Sequence, residues 1–185
     1  MSTIPREFYL QDTVVVAKNL LGKKITRVIG SQEVSGIIVE TEAYRHKDDP
    51  ASHAYRRMTE RNKAMFEEVG RAYVYFTYGM HYCFNVVARN SRHDAGAVLI
   101  RAIKPINGIE VMKKNRKTND LGNLANGPAK LTQALQITKE QYGTDLTKRE
   151  SLFITEGISV KKINANPRIG IKEATEKLWN FKIRV

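Results

Sequence analysis

Two β-prone runs, Lys24 to Ile29 and Val34 to Thr41, are separated only by a short turn at Gly30-Ser31. Strands joined so tightly pair antiparallel, because a parallel pair needs a long crossover. Three later runs, Ala72 to Thr77, Cys83 to Ala88 and Ala97 to Lys104, have the same apolar and aromatic character. Weaker signals follow: a strand near Leu152, another near Val160 and an Ile169-Gly170-Ile171 segment. Helices are expected between and around them. Asp12 or Thr13 can cap one that runs to about Leu21, where Gly22 ends it. A short helix spans Arg61 to Glu67 and is closed by Gly70, and a polar one covers Gly108 to Lys117. Pro128 suits the first turn of another that reaches Leu135. The expected fold is α+β: a single domain over residues 1–185, with a curved, largely antiparallel sheet and surrounding helices.

With 185 residues, 42% of them apolar, the chain can bury a core without covalent staples. Cys83 is its one cysteine, which excludes an internal disulfide and every multi-cysteine zinc module and fits a reducing compartment. His46, His53, His81 and His93 lack metal-ligand spacing, so no metal is expected. Gly127-Pro128-Ala129-Lys130 lacks the spacing of a P-loop, although a loop feeding a helix beside Lys130 can hold a DNA phosphate. The 31 basic residues outnumber the 19 acidic ones, for a net charge of +12. A positive field of this size fits a polyanionic partner, most often nucleic acid, or else serves solubility alone. No apolar targeting run opens the chain and no stretch is long enough to span a bilayer, so the expectation is no membrane partner and no secretion.

Four segments can carry chemistry. In Val39-Glu40-Thr41-Glu42-Ala43-Tyr44, strand alternation puts Glu40, Glu42 and Tyr44 on one face. Carboxylates at i and i+2 lie roughly 7 Å apart, a separation seen in glycosidases, and an ordinary solvated face explains them equally well. Tyr73-Val74-Tyr75-Phe76-Thr77-Tyr78-Gly79 offers Tyr73 and Tyr75 on one face, Val74 and Phe76 toward the core, and Tyr78 at a turn. Tyrosines so placed either stack bases or pack as an amphipathic strand does. Asn85 interrupts an apolar strand, so its amide is satisfied by backbone or reads a ligand. Arg101, within Val98-Leu99-Ile100-Arg101-Ala102, must pair with a phosphate or a carboxylate such as Glu40.

Together with Leu20-Leu21-Gly22-Lys23, Asp49-Pro50-Ala51-Ser52-His53, Arg61-Asn62, Met65-Phe66, Asn126-Gly127-Pro128-Ala129-Lys130-Leu131, Gln133-Ala134-Leu135 and Pro167-Arg168-Ile169-Gly170, these segments resemble the 3-methyladenine (alkyladenine) DNA glycosylase family. They occur in the family's order over nearly the whole chain. Two departures are visible: Thr59-Glu60-Arg61-Asn62 stands where the family has Thr-Pro-Arg-Asn, and a glycine expected near Arg57 is absent.

The resemblance implies a monofunctional enzyme that flips damaged purines out of DNA and hydrolyses the N-glycosidic bond with water, leaving an abasic site. It casts Glu42 as the base that activates water, with Arg101 beside it. Tyr44, His53 and Tyr75 would line the lesion pocket, Asn85 would filter against guanine and Tyr78 would wedge into the duplex. Arg61 and Lys130 are candidates for DNA-backbone contact. No cofactor is implied. The expected partner is double-stranded DNA carrying 3-methyladenine, 7-methylguanine or hypoxanthine, and the expected state is a monomer without an obligatory protein partner. The expected location is the nucleoid of a prokaryotic cytoplasm or the nucleus of a eukaryote.

Overall fold

Gly30 takes a positive φ of 59°, a conformation free of Cβ strain only in glycine. It turns β1 (Lys24–Ile29) straight back onto β2 (Gln32–Arg45), and the two pair antiparallel from Ile29↔Gln32 to Lys24↔Ile37. This computed structural model describes residues 2–185. β3 (Ala72–Thr77) and β4 (His81–Val87) form a second hairpin, and β5 (Gly96–Asn107) pairs with both β4 and β2. β6 (Leu152–Thr155) closes on β1, while β7 (Asn164–Asn166) pairs with β8 (Asn180–Lys182). Among the described residues these make one sheet in the order β3-β4-β5-β2-β1-β6, with β8 laid on β2. All of its ladders are antiparallel.

β2 organises the sheet. At 14 residues it is long enough to serve three neighbours: β5 along one edge, β1 and β8 sharing the other. Its register against β5 shifts at Ser35/Gly36 and on both sides of Glu40. Such irregularities bend a strand and increase its twist, so the sheet curls. Gly36 lies at one shift, where a Cβ would come within 2.8 Å of the Lys104 carbonyl.

Three helices cover the sheet. α1 (Thr13–Asn19) is capped by Asp12, whose carboxylate accepts the Val14 N–H. α2 (Ile109–Arg116) and α3 (Pro128–Ala134) follow β5, with Pro128 in the first turn as the sequence suggests. The α+β class and the curved antiparallel sheet read from the sequence are the observed architecture. Among the described residues no helix is long and apolar enough to cross a membrane.

Strand alternation then divides the molecule. Val74, Phe84, Val86, Val98 and Ile100 point to the main core against the helices. Their neighbours Tyr73, Val87 and Ala97 point the other way and join Ala54, Met65 and Ala95 in a smaller cluster. The second face carries the polar residues of β2 to β5.

Three local readings need correction. No strand forms near Val160; the late strands are β7 and β8, each of three residues. Phe76 is 48% exposed, because β3 runs past the edge of the core before it reaches that residue. The helix expected over Arg61 to Glu67 is a single 3-10 turn, Lys63–Phe66.

Candidate active site

The second face of the sheet opens into a cavity of about 480 Å³. That volume is typical of small-molecule sites. Tyr44 of β2, Tyr73 and Tyr75 of β3, Cys83 and Asn85 of β4, and Leu99 and Arg101 of β5 form its floor and walls. Alternation puts every one of them on this face, in keeping with the shared face that the spacing gives Tyr73 and Tyr75. His53 enters from the loop after β2, and Ile169 to Glu173 form part of the rim.

Glu42 lies directly beneath that wall. It is fully buried, and each of its oxygens accepts two hydrogen bonds. The Tyr44 hydroxyl donates to Oε2 at 2.8 Å and Arg101 Nη1 to the same oxygen at 3.2 Å. The Ile169 backbone N–H donates to Oε1 at 2.8 Å and Asn180 Nδ2 at 3.0 Å. The carboxylate therefore reaches the cavity through Tyr44, Arg101 and Ile169, all of which line it.

Arg101 also bonds Glu40 Oε1 through Nε at 2.9 Å. The guanidinium thus bridges Glu40 and Glu42, one more than the pairing with Glu40 that strand chemistry suggests. Burial alone would lower its pKa, but Glu42 and Glu40 more than offset this and raise it. Lys182 approaches Glu40 at 3.3 Å, so two cations face two anions.

The aromatic walls are hydrogen-bonded and braced. His53 Nδ1 lies 3.0 Å from the Tyr73 hydroxyl, and its ring meets Tyr75 edge-on at 4.6 Å. His53 keeps part of its surface exposed, but desolvation of its ring against the tyrosines, and then the Arg61 charge, lowers its pKa and favours the neutral ring. Burial likewise pushes the Tyr44, Tyr73 and Tyr75 hydroxyls well above the usual tyrosine range, so they act as donors. Burial raises the Cys83 thiol too, although its contact with Tyr75 opposes the shift. Asn85 Nδ2 donates to the Tyr73 carbonyl at 3.1 Å while the side chain still lines the cavity.

Behind Tyr44 stands Arg168, its guanidinium 4.7 Å from the ring centre. Arg168 and Asp49 both have fully buried side chains and form a two-pronged pair at 2.6 Å on each prong. Arg168 also donates to the Ala43 carbonyl. The pair ties the His53 loop to the segment that presents the Ile169 N–H. Asn62 fixes the same loop, donating to the carbonyls of His53 and Arg57 and accepting the Thr59 N–H. The departures in sequence at Arg57 and Glu60 therefore sit in a loop with its own latch.

Tyr78 lies at the tip of the β3–β4 hairpin, 86% exposed, with a positive φ of 52° beside Gly79 at 67°. Met80 next to it is 66% exposed. The other two expected contacts have partners within the chain. Arg61 packs over the Tyr75 ring at 5.5 Å and donates to the Phe76 carbonyl. Lys130 is held by the side-chain oxygens of Asn123 and Asn126.

Sequence reasoning missed Asn180 altogether, and it singled out neither Lys172 nor Glu173 at the rim. The alternation Trp179-Asn180-Phe181, polar between two aromatics, was the one signal for Asn180, and it is too short to stand out.

Residues 7–185 match the family model for methylpurine-DNA glycosylase. The chain belongs to the methylpurine-DNA glycosylase family. It is 47% identical over 182 residues to a protein of Prosthecochloris aestuarii, covering 97% of this chain and 86% of that one. It is 46% identical over 183 residues to one of Carboxydothermus hydrogenoformans, covering 98% and 95%. A protein of Clostridium acetobutylicum is 47% identical over 192 residues, covering 97% and 93%. The names of all three include the words 3-methyladenine DNA glycosylase. As a member of the methylpurine-DNA glycosylase family the chain is a DNA glycosylase, an enzyme of DNA repair, and the tyrosine-walled cavity over Glu42 is its candidate active site.

Proposed function

We propose that this DNA glycosylase removes alkylated and deaminated purines, 3-methyladenine, 7-methylguanine and hypoxanthine among them, from double-stranded DNA by water-dependent cleavage of the N-glycosidic bond. The carrying observation is a buried carboxylate clamped by arginine immediately beneath a tyrosine-walled cavity. A base inside the duplex cannot be reached, so the nucleotide must be extruded, which costs a few kcal/mol. Tyr78, exposed at a hairpin tip beside the cavity, is the group to fill the gap left behind. Tyr44 and Tyr75 would stack on the extruded base. Ring-alkylated purines are cationic, and a cation gains about 0.5–2 kcal/mol from an aromatic face. Asn85, on the cavity wall, would clash with the exocyclic amine of guanine and so disfavour the normal base.

As the bond breaks, the anomeric carbon acquires positive charge. Glu42 stabilises it and takes the proton of the attacking water through Oε2, the oxygen turned toward Tyr44 and Arg101. Entry of the nucleotide displaces one of those two donors from Oε2 and opens that acceptor position to water. Arg101 holds the carboxylate and offsets its charge. The bond's electron pair stays on the purine. A cationic alkylpurine therefore leaves as the neutral base, whereas hypoxanthine leaves as an anion that takes a proton from solvent. The other product is an abasic site, with the strand intact. Lys172 at the cavity rim is the amine that a strand-nicking pathway would use.

Duplexes carrying one 3-methyladenine, 7-methylguanine, hypoxanthine or ethenoadenine test the proposal. The expected result is release of free base from at least one alkylated duplex, loss of release in Glu42→Gln with lesion binding retained, and no adduct on borohydride treatment. Unchanged release by Glu42→Gln removes Glu42 from the mechanism. A trapped adduct that disappears in Lys172→Ala replaces water with an amine.

A further inference from the structure

Asn180 is fully buried on β8, three residues paired to β2 at Glu40↔Lys182, Thr41↔Phe181 and Glu42↔Asn180. The register places its amide opposite Glu42. Its Nδ2 donates to Glu40 Oε1 at 2.8 Å and to Glu42 Oε1 at 3.0 Å. Among the described residues its Oδ1 is buried without a partner. A buried acceptor left unpaired is costly, so the orientation of this amide needs a reason. Turning it over would point Oδ1 at two carboxylates. The amide is therefore a committed donor, held in an otherwise unfavourable pose by the pair it bridges.

We infer that Asn180 is a positioning residue for the glycosylase reaction, and this rests on Glu42 acting as the base. By engaging Oε1 together with the Ile169 N–H, it fixes the rotation of the Glu42 carboxylate. Oε2 is thereby left as the oxygen that faces the cavity wall. By bridging to Glu40 it also holds the two carboxylates at a set separation, with Arg101 as the second bridge. Glu40 becomes part of the device: it shares Arg101 and Asn180 with Glu42 and also pairs with Lys182.

The groups that face Glu42 are Glu40 and Tyr44 from β2, Arg101 from β5, Asn180 from β8, Cys83 from β4 and the Ile169 N–H, with Lys182 on Glu40 and Arg168 behind Tyr44. Of these, Asn180 can be made acidic, and Glu40 neutral, without changing the length of either side chain. Asn180→Asp places a third carboxylate in the cluster, so the pH below which activity fails should move up. Glu40→Gln removes a carboxylate and should move it down. Opposite shifts from two near-isosteric changes are not what loss of packing produces.

The experiment measures single-turnover base release from alkylated duplex DNA between pH 5 and 8, with lesion affinity and thermal unfolding alongside. Asn180→Ala should lower the rate about tenfold, the scale of one lost hydrogen bond to a charged group. Lesion affinity should stay within about twofold, and Asn180→Ser, which keeps a small donor, should recover part of the rate. Asn180→Asp and Glu40→Gln should shift the acid limb in opposite directions. If Asn180→Ala is too unstable to assay, the Glu40→Gln and Asn180→Ser profiles decide. Parent-like rates and profiles in the Asn180 and Glu40 variants, with Glu42→Gln inactive, overturn the role of Asn180 alone. A fully active Glu42→Gln overturns both this role and the proposed mechanism.

Discussion

Arg101 was legible from sequence because a guanidinium inside Val98-Leu99-Ile100-Arg101-Ala102 demands a partner such as Glu40, and the folded chain adds Glu42. Removing one member of a buried ion pair leaves the other uncompensated, at a cost of about 3–5 kcal/mol. Arg101→Gln should therefore lower the unfolding midpoint by several degrees and reduce base release at least a hundredfold, measured by thermal melts and single-turnover assays. His53 makes a different prediction. Its pKa is lowered by burial and by Arg61, so the folded chain resists protonation there. As pH falls below about 6.5 the unfolded chain gains a proton that the folded chain refuses. His53 thus leaves stability untouched above that pH and subtracts from it below, until the folded ring also protonates. His53→Gln should flatten the decline of the melting temperature between pH 7.5 and 5.5 relative to the parent. An identical decline would mean that His53 is not held neutral. No pattern in the sequence showed this, since the shift comes from where a loop histidine lands relative to Arg61 and the tyrosines.

At the scale of elements, the parts written in long alternating runs were readable and the parts written in three residues were not. β1 to β5 carry enough apolar alternation to be recognised, and their shared face gives Tyr44, Tyr75, Asn85 and Arg101 as neighbours. Among the described residues β7 pairs only with β8, and β8 with β2, so nothing local marks them. The segment between them, with Arg168 and Ile169, is fixed by Asp49, 119 residues away in sequence. Such a pairing exists only in the folded chain. It has a testable consequence, because its work divides between stability and the site. Asp49→Asn should destabilise the protein by about 3–5 kcal/mol, as breaking a buried pair does. Replacing both partners, Asp49→Leu with Arg168→Met, should recover much of that stability, since well-packed apolar side chains often substitute for a buried pair. Activity should not return with it, because Arg168 no longer braces Tyr44 or anchors the Ile169 N–H on Glu42. Unfolding midpoints and base release measured on the same preparations check this, and recovery of both together would reduce the pair to a staple.

The molecule as a whole carries +12, and DNA binding must contain a large share of sequence-independent attraction. On the proposed function, that attraction and lesion recognition fall on different parts of the surface. Arg56 and Arg57 are exposed and line a groove that His53 and Glu173 share with the cavity. Tyr78 projects at the hairpin tip on the cavity's other rim, held in a left-handed conformation that a non-glycine residue adopts only at a cost of roughly 1–2 kcal/mol. The two features should fail differently. Neutralising Arg56 and Arg57 to Gln should weaken intact and damaged DNA alike and reduce the salt dependence of log K by about two, one for each lost phosphate contact. Base release at saturating enzyme should be unaffected. Tyr78→Gly should do the reverse: the salt dependence stays, preference for the lesion falls, and saturated release slows because the extruded nucleotide is no longer replaced in the stack. The same substitution relieves the backbone strain at φ 52°, so the melting temperature should not drop. A variant that is as stable as the parent, binds DNA with the same salt slope and yet fails to hold a base out would place the wedge at Tyr78. A Tyr78→Gly enzyme with undiminished release would instead leave extrusion to the cavity's own stacking walls.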